Sequence, residues 1–313
     1  MSSRQQTVRS SPRVAIIGTG TMGTAMGTRL LGSGVDVHAW SRHRGSTAAL
    51  VDHGATAHDT AADAEAGADV VITMLPTADA TAEVMIEEST LPAMPAMSTW
   101  VQMATIGVEA TEHLARQTLA RRKDVAYVDA PVSGSRVPAE TGQLLILASG
   151  PRTAVTALEP VVRILGRETL YLGTAGAGSR MKLVLNTWLA LQTEGAAEAA
   201  ALAERLGIHS TDLFAALRDN PLASPYAVGK LTRMVERDFD PDLALDWALK
   251  DLDLVAAAGG SDAAPISTVI AERWRGLVGD GSSGYDVSAA RIGLGPATPV
   301  GASTRALSAS THP

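Results

Sequence analysis

Short apolar runs alternate with helical stretches through the first half of the chain. Residues 69–75 are almost continuously apolar, as in a strand that is buried on both faces of a parallel sheet. The stretches between such runs carry apolar residues at helical spacing. Strands that alternate with helices indicate βαβ units and a mostly parallel sheet. We expect strands at residues 14–18, 35–40, 69–75, 99–103, 126–129, 144–149 and 169–172, and helices at 21–31, 46–53, 77–88, 107–122 and 153–165.

The pattern changes after Gly176. Residues 177–206 contain no proline and, after Gly178 in the first turn, only Gly195 as a helix breaker, and their alanine-rich part has a high helix propensity. No strand pattern follows, so the second half is predicted to be all-helical. Further helices are expected at residues 211–218, 224–236, 243–258, 265–278 and 285–292.

Length and composition agree with two domains. The chain has 313 residues, which is more than one hydrophobic core usually supports, and 46% of them are hydrophobic against 19% charged. We predict an α/β domain at residues 14–175 and an all-helical domain at 176–292, joined by a long helix at 176–206. Residues 1–13 and the Gly-, Ala-, Ser-, Thr- and Pro-rich residues 293–313 are predicted to be flexible ends.

Charge and residue content narrow the classes of function. The net charge of −7 argues against nucleic acid as a partner, because contacts to phosphates require clustered positive charge. With no cysteine, the chain has no disulfide, thiolate metal site or cysteine nucleophile, and its seven histidines form no ligand-spaced pair on a helix. We therefore expect no metal. No apolar run reaches the roughly 20 residues of a membrane span and no secretory signal is recognisable, so we expect a cytoplasmic protein.

A glycine pattern marks the first strand–helix junction. Gly18, Thr19, Gly20, Thr21, Met22 and Gly23 form G-x-G-x-x-G directly after a predicted strand and at the start of a predicted helix. In that context Gly18 permits a tight turn, Gly20 lets a pyrophosphate approach the backbone, and Gly23 lets helix and strand pack closely. The helix N-terminus supplies N–H groups to the phosphates. A glycine-rich connector without a ligand is the simpler alternative.

The residues after the second strand bear on the choice of dinucleotide. An Asp or Glu is expected there to bind the adenine ribose, but the chain has Ser41, Arg42, His43 and Arg44 instead, and Asp36 comes too early. A guanidinium pairs with a 2′-phosphate through two parallel hydrogen bonds. The sequence therefore favours NADP(H) over NAD(H), unless the two arginines are only solvated loop charges.

Three further segments carry candidate chemistry. Lys182 and Asn186 are four residues apart on the long helix, which places both side chains on one face, and the residues around Lys182 are apolar. Burial among such neighbours lowers the pKa of an amine toward the range of proton transfer. The turn-rich residues 129–135 offer backbone N–H groups to an anion, and Lys250 and Asp251 lie within a helix. Trp188, on the helix of Lys182, is expected in the core.

Taken in order, these segments resemble the β-hydroxyacid dehydrogenase family, which includes 3-hydroxyisobutyrate dehydrogenase and short-chain semialdehyde reductases. The resemblance covers about residues 14–292 and extends to 6-phosphogluconate dehydrogenase and to imine reductases of the same architecture. It implies a Rossmann domain with a doubly wound, mostly parallel sheet followed by an all-α domain, and a homo-oligomer, dimer or tetramer, formed through the helical domain. The matching segments are residues 18–23, 74–76, 103–105, 129–135, 176–186 and 250–251.

The resemblance also implies roles for individual residues. It assigns the catalytic lysine to Lys182 and the assisting asparagine to Asn186, and it assigns binding of the substrate carboxylate to Ser133, Gly134 and Ser135. Two positions depart from the family: Ser135 replaces a second glycine, and Ala104 replaces a serine. Contacts to the cofactor would come from Gly18, Thr19, Gly20, Thr21, Met22, Gly23, Ser41, Arg42, Leu75, Pro76, Thr105 and Lys250.

The expected reaction is hydride transfer between NADP(H) and a small 3-hydroxy acid, semialdehyde or keto acid, with Lys182 as the general acid or base. An imine reductase is the first alternative, although such enzymes usually carry Asp or Tyr at the position of Lys182. A nicotinamide-binding sensor without catalytic activity is the second.

Overall fold

A computed structural model describes residues 12–88 and 90–294 of the chain. Within these residues it has two compact units. The first contains the residues up to Trp188 together with Trp247–Thr268, and the second contains Leu189–Asp246 and the residues from Val269 onward. The predicted flexible ends lie almost entirely outside the described residues; Arg13 already belongs to the first strand.

The first unit is built on a six-stranded parallel sheet in the order β3-β2-β1-β4-β5-β6. The chain starts in the middle at β1, extends to one edge and then returns to the other, as in a doubly wound sheet. The strands are β1 (Arg13–Ile17), β2 (Asp36–Trp40), β3 (Thr56–Ala57), β4 (Val70–Thr73), β5 (Thr99–Gln102) and β6 (Ala126–Asp129).

Helices connect these strands and cover the sheet. Successive residues of β1 alternate between two apolar clusters, since Val14 and Ile16 pack into one and Ala15 and Ile17 into the other. Strand side chains point alternately to opposite faces, so the sheet is buried on both sides. The helices are α1 (Thr21–Leu31), α2 (Ala48–Asp52), α3 (Ala61–Glu65), α4 (Ala78–Ala82) and α5 (Val108–Arg121), with a π-helical turn, Glu83–Glu87, directly after α4.

A second, three-stranded sheet follows in the first unit. Its order is β7-β8-β9, with β7 antiparallel and β9 parallel to β8. The strands predicted at 144–149 and 169–172 therefore exist but lie outside the main sheet. The elements are β7 (Val132–Ser133), α6 (Arg136–Glu140), β8 (Leu144–Ala148), α7 (Arg152–Ala157), α8 (Glu159–Leu165) and β9 (Gly166–Tyr171).

The remaining chain is helical, as predicted. In the second unit, Lys230 Nζ donates to both carboxylate oxygens of Asp286 at 2.8 and 2.9 Å, and Trp274 Nε1 donates to Glu194 at 2.9 Å. These groups are buried, and Glu194 also forms an ion pair with Arg273, so the buried charges of Lys230, Asp286 and Glu194 are each matched inside the unit. The helices are α9 (Ala177–Arg205), α10 (Ser210–Leu217), α11 (Pro225–Glu236), α12 (Leu245–Val255) and α13 (Pro265–Leu277), followed by a 3₁₀ turn, Val287–Arg291.

The predicted fold class is confirmed: a Rossmann-like sheet with flanking helices is followed by helical structure. None of the helices in the described part of the chain has the length and hydropathy to cross a membrane.

Candidate active site

The glycine loop between β1 and α1 is a tight turn. Gly18 has φ +104°, and a Cβ on it would lie 2.5 Å from the carbonyl oxygen of Met74. Its N–H donates to the carbonyl oxygen of Trp40 at 2.9 Å, which places the end of β2 beside the loop. Any side chain at Gly18 would collide with the backbone that follows β4. Only glycine fits this position.

The other two glycines of the loop have opposite surroundings. A Cβ on Gly23 would lie 2.0 Å from the carbonyl oxygen of Gly18, so α1 packs directly against the turn. A Cβ on Gly20 would meet no atom within 4 Å. Gly20 is also the N-cap of α1 and offers no side chain to its N–H groups. The loop therefore leaves open space in front of the helix N-terminus.

This open space fits a pyrophosphate. The N–H groups of the first helical turn and the helix dipole favour an anion there. The hydroxyl of Thr19 is buried and has no hydrogen-bond partner within the described residues, so it too is available to a phosphate oxygen. Thr21 is exposed and Met22 is partly buried.

The two arginines after β2 both lie in ion pairs. Arg42 Nη2 is 2.6 Å from Glu83 Oε2, and Arg44 pairs with Asp59. Asp36 lies at the start of β2, where it accepts a hydrogen bond from Arg13 Nε at 2.8 Å. Asp36 is thus at the wrong end of the strand to bind the adenine ribose, as the sequence predicts, and it binds Arg13 instead.

The ends of β4 and β5 lie at the same edge of the sheet as the glycine loop, because parallel strands end together. Leu75 is buried with its Cδ2 3.1 Å from the Cβ position of Gly18, whereas Pro76 is exposed. Thr73 Oγ1 donates to Gln102 Oε1 at 2.5 Å, and Gln102 Nε2 donates to the Ala104 carbonyl oxygen at 3.2 Å. This buried network fixes the loops that carry Leu75 and Thr105.

Asp129 joins the end of β6 to the start of α9. Its fully buried carboxylate accepts hydrogen bonds from Ser149 Oγ at 2.9 Å, from the N–H groups of Gly176 and Ser179 at 3.1 and 2.9 Å, and from Ser179 Oγ at 2.8 Å. Burial raises the pKa of Asp129, and the bonds from Ser179 act against that rise. The carboxylate thereby fixes the start of the helix that carries Lys182.

The loop predicted to bind the substrate carboxylate lies at the junction of β7 and α6. Ser133 pairs with Leu145 of β8, and Ser135 is the N-cap of α6 without a side-chain capping bond. Gly134 has φ +133°, and a Cβ on it would lie 2.9 Å from Leu144 Cδ2. Ser133 and Ser135 are partly buried and Gly134 is exposed. In the described part of the chain, no hydrogen bond joins this loop to Lys182 or Asn186.

Lys182, Asn186, Lys250 and Asp251 form a polar cluster within the first unit. Asn186 is buried and donates through Nδ2 to Asp251 Oδ2 at 2.5 Å. Lys250 Nζ forms an ion pair of 3.1 Å with Asp251 Oδ1 and donates to the Thr105 carbonyl oxygen at 2.5 Å. Lys250 and Asp251 thus link Thr105 to Asn186.

The charges of this cluster depend on one another. Burial lowers the pKa of Lys182; Asp251 acts against this, and the positive charge of Lys250 adds to it. Burial raises the pKa of Asp251, which Lys250 and Lys182 oppose. Lys182 forms no hydrogen bond or ion pair with any described residue. It is an amine whose pKa is lowered toward the range of proton transfer.

Sequence reasoning missed two residues and misplaced one. The sequence indicates no role for Asp251 beyond its place beside Lys250, although its carboxylate accepts a hydrogen bond from Asn186. Glu83 gave no signal at all, because its contact with Arg42 spans 41 positions. The prediction for Trp188 is wrong: its side chain is 61% exposed, because the helix turns it away from the apolar face.

The sheet order, the glycine loop and the open helix N-terminus together define a dinucleotide-binding protein. Residues 13–173 match the NAD-binding domain of 6-phosphogluconate dehydrogenase, and residues 176–291 match the NAD-binding domain of NADP-dependent 3-hydroxyisobutyrate dehydrogenase.

Known proteins resemble the chain over nearly its whole length. It is 30% identical to glyoxylate/succinic semialdehyde reductase 1 of Arabidopsis thaliana, over 88% of this chain and 96% of the relative. A structure of Mycobacterium tuberculosis 3-hydroxyisobutyrate dehydrogenase with L-serine superposes with a TM-score of 0.80 at 27% identity, covering 90% of this chain and 98% of that one. A reductive aminase from Aspergillus terreus with NADPH and ethyl levulinate shares the fold, with a TM-score of 0.59 at 24% identity over 90% and 98% of the two chains.

The chain belongs to the β-hydroxyacid dehydrogenase family. Family and relatives indicate an NAD(P)-dependent dehydrogenase that acts on CH–OH groups.

Proposed function

We propose that the chain transfers a hydride between NADP(H) and a small 3-hydroxy acid, semialdehyde or keto acid, with Lys182 as the general acid and base. The observation that carries this proposal is the amine of Lys182, whose pKa is lowered by burial and which lies beside the cluster of Asn186, Lys250 and Asp251. A surface lysine would have neither property.

The cofactor would be held by the glycine loop and the strand ends. Gly18, Gly20 and Gly23 shape the turn, and Gly20 leaves room for the pyrophosphate. The same edge of the sheet carries Leu75 and Pro76 after β4 and Thr105 after β5. Lys250 Nζ donates a hydrogen bond to the carbonyl oxygen of Thr105 and so fixes that loop. Arg42, after Ser41, would bind the 2′-phosphate. When bound, the nicotinamide supplies or accepts the hydride.

Lys182 would move the proton that balances the hydride. In reduction, the carbonyl carbon gains the hydride and the ammonium of Lys182 protonates the carbonyl oxygen, so the amine is left neutral. In oxidation, the neutral amine takes the hydroxyl proton. Asn186, fixed by its bond to Asp251, would orient the reacting oxygen or the amine. Proton transfer of this kind typically contributes 10²–10⁴-fold to the rate.

The acid group of the substrate would lie on the loop of Ser133, Gly134 and Ser135. Backbone N–H groups at a turn bind anions, and Gly134 allows a backbone conformation with positive φ. The side chain of Ser135, in place of the family's second glycine, would narrow the range of acids that fit. The names of the semialdehyde reductase and 3-hydroxyisobutyrate dehydrogenase relatives support a substrate of this class. The family resemblance also supports a homo-oligomer formed through residues 176–292.

The test compares wild type, Lys182→Ala and Lys123→Ala, the last being an exposed lysine that serves as the matched control. NADPH oxidation is measured with succinic semialdehyde, glyoxylate and a cyclic imine, and NADPH affinity is measured separately by fluorescence. We expect Lys182→Ala to lower kcat/KM by roughly 10²–10⁴-fold with unchanged NADPH affinity. Unchanged turnover in this variant would refute the role of Lys182.

The same panel separates the alternatives. Turnover of the cyclic imine but not of the two acids would identify an imine reductase, a class of enzyme that shares the fold of this chain. NADPH binding without turnover of any candidate would identify a sensor. For a dehydrogenase, reduction by wild type should decline as the pH rises through the lowered pKa of Lys182, and oxidation should increase over the same range.

A further inference from the structure

An acidic residue from another part of the chain holds the arginine that would select the dinucleotide. Arg42 follows β2 by two residues, and Glu83 begins the π-helical turn after α4. Their side chains, 57% and 49% exposed, form an ion pair of 2.6 Å between Nη2 and Oε2. The end of β2, two residues before Arg42, adjoins the glycine loop, because the N–H of Gly18 bonds to the carbonyl oxygen of Trp40.

The second arginine after β2, Arg44, is paired with a carboxylate as well. Arg44 forms an ion pair with Asp59, whose carbonyl oxygen accepts a hydrogen bond from Trp40 Nε1 at 3.3 Å. The sequence gives the impression of two free positive charges after β2. In the folded chain, each of these charges has a carboxylate partner drawn from a distant segment. Arg42 and Arg44, taken together with these two carboxylates, therefore carry no net charge.

We propose that Glu83 is a specificity-determining residue that competes with the 2′-phosphate for Arg42, so that the preference of the chain for NADP(H) over NAD(H) is smaller than Arg42 alone would give. This inference rests on the dinucleotide site of the proposed function. A 2′-phosphate carries about −1.5 to −2 charges. To pair with Arg42 Nη2, the phosphate must displace the Glu83 carboxylate, and it then lies close to that carboxylate, with like charges facing each other. The neutral 2′-hydroxyl of NAD(H) meets no such opposition.

The expected effect is moderate in size. Arg42 and Glu83 are about half exposed, and ion pairs in that setting are weak, so a phosphate is able to displace Glu83. Arginine binds phosphate through two parallel hydrogen bonds, which favours the exchange. Removing the negative charge of Glu83 should therefore strengthen NADP⁺ binding by roughly three- to tenfold rather than by orders of magnitude. NAD⁺ binding should change by less than about twofold.

The experiment measures the affinities of NADP⁺ and NAD⁺ by isothermal titration calorimetry, without a substrate. The proteins are wild type, Glu83→Gln, Arg42→Ala, the double variant, and Glu159→Gln. The last breaks a similar exposed ion pair, with Arg163, and is the matched control. We expect Glu83→Gln to raise the NADP⁺ affinity relative to that of NAD⁺, and Glu159→Gln to leave the ratio unchanged. The gain should shrink at 0.5 M salt, where charges are screened over about 4 Å.

The double variant tests whether Glu83 acts through Arg42. Once Arg42 is absent, we expect substitution of Glu83 to lose most of its effect on NADP⁺. An unchanged NADP⁺ to NAD⁺ ratio in Glu83→Gln, or an equal gain with and without Arg42, would overturn the inference and leave the proposed function intact. Wild type that binds neither dinucleotide would refute the cofactor site, and the inference with it.

Discussion

Glu65 is a buried carboxyl that makes the stability of the chain sensitive to pH. It ends α3 with 0% exposure, and neither of its carboxyl oxygens has a hydrogen-bond partner among the described residues. Burial raises the pKa of Glu65 from the usual 4.5 to about 8, although the hydroxyl of Thr90 acts against the rise. In the folded chain the group is therefore protonated and neutral at pH 7.

The sign of the effect follows from proton linkage. Below about pH 4.5 the group is protonated in both the folded and the unfolded chain, and its contribution to stability is complete. Between about 4.5 and 8 only the unfolded chain loses the proton, so the free energy of unfolding falls as the pH rises. At 1.36 kcal/mol for each pH unit, the full loss is about 4–5 kcal/mol, of which about 3 kcal/mol falls between pH 5.5 and 8.

The perturbation that tests this is Glu65→Gln, which keeps the shape of the carboxyl and cannot ionise. We expect urea unfolding of wild type and variant to give similar free energies at pH 5.5. At pH 8.5 the variant should be more stable than wild type by about 3 kcal/mol beyond any difference at pH 5.5. The exposed Glu140→Gln is the control and should follow wild type at both pH values. Parallel pH dependence of wild type and Glu65→Gln would refute the reasoning.

Two more predictions concern the site. Gly23→Ala should cost ~2–3 kcal/mol of stability because its Cβ would lie 2.0 Å from the Gly18 carbonyl oxygen. Gly20→Ala, whose Cβ would meet no atom within 4 Å, should keep the melting temperature but lose affinity for NADPH, because the Cβ would occupy the space proposed for the pyrophosphate. Equal melting temperatures of the two variants would contradict this assignment. Asp251→Asn removes a charge that raises the pKa of Lys182, so the pH at which reduction begins to decline should move to lower values in the pH–rate profile. A shift to higher pH would be inconsistent with the cluster described here.

Much of the fold follows from local pattern. Apolar runs and helical periodicity predict five of the six strands of the main sheet and the helical second half. The missing strand, Thr56–Ala57, has two exposed residues and no apolar signal. The helix predicted at 153–165 is divided into α7 and α8 by the break before Pro160, since proline has no N–H to continue the first helix. Local pattern also does not reveal that the strands near 146 and 170 form a sheet of their own.

In the candidate site too, the features that lie within one turn or helix are predictable from the sequence, and the contacts between distant segments are not. Glycine spacing and the four-residue interval from Lys182 to Asn186 are properties of one turn or one helix, so the sequence reveals them. Burial of Lys182 among apolar neighbours was also predictable, and the lowered pKa agrees with it. The contact between Asn186 and Asp251 spans 65 positions, and that between Arg42 and Glu83 spans 41. Such pairs depend on which elements pack together, and no periodicity along the chain encodes that.

The composition of the first unit has a consequence for recombination between relatives. Trp247–Thr268 belongs to that unit although some 58 residues of the second unit precede it in the chain. A single crossover within Leu189–Asp246 would therefore take Lys182 and Asn186 from one parent, and Lys250 and Asp251 from the other. The smallest portion that preserves the polar cluster is discontinuous, and a chimera that exchanges specificity should carry both pieces from the same parent.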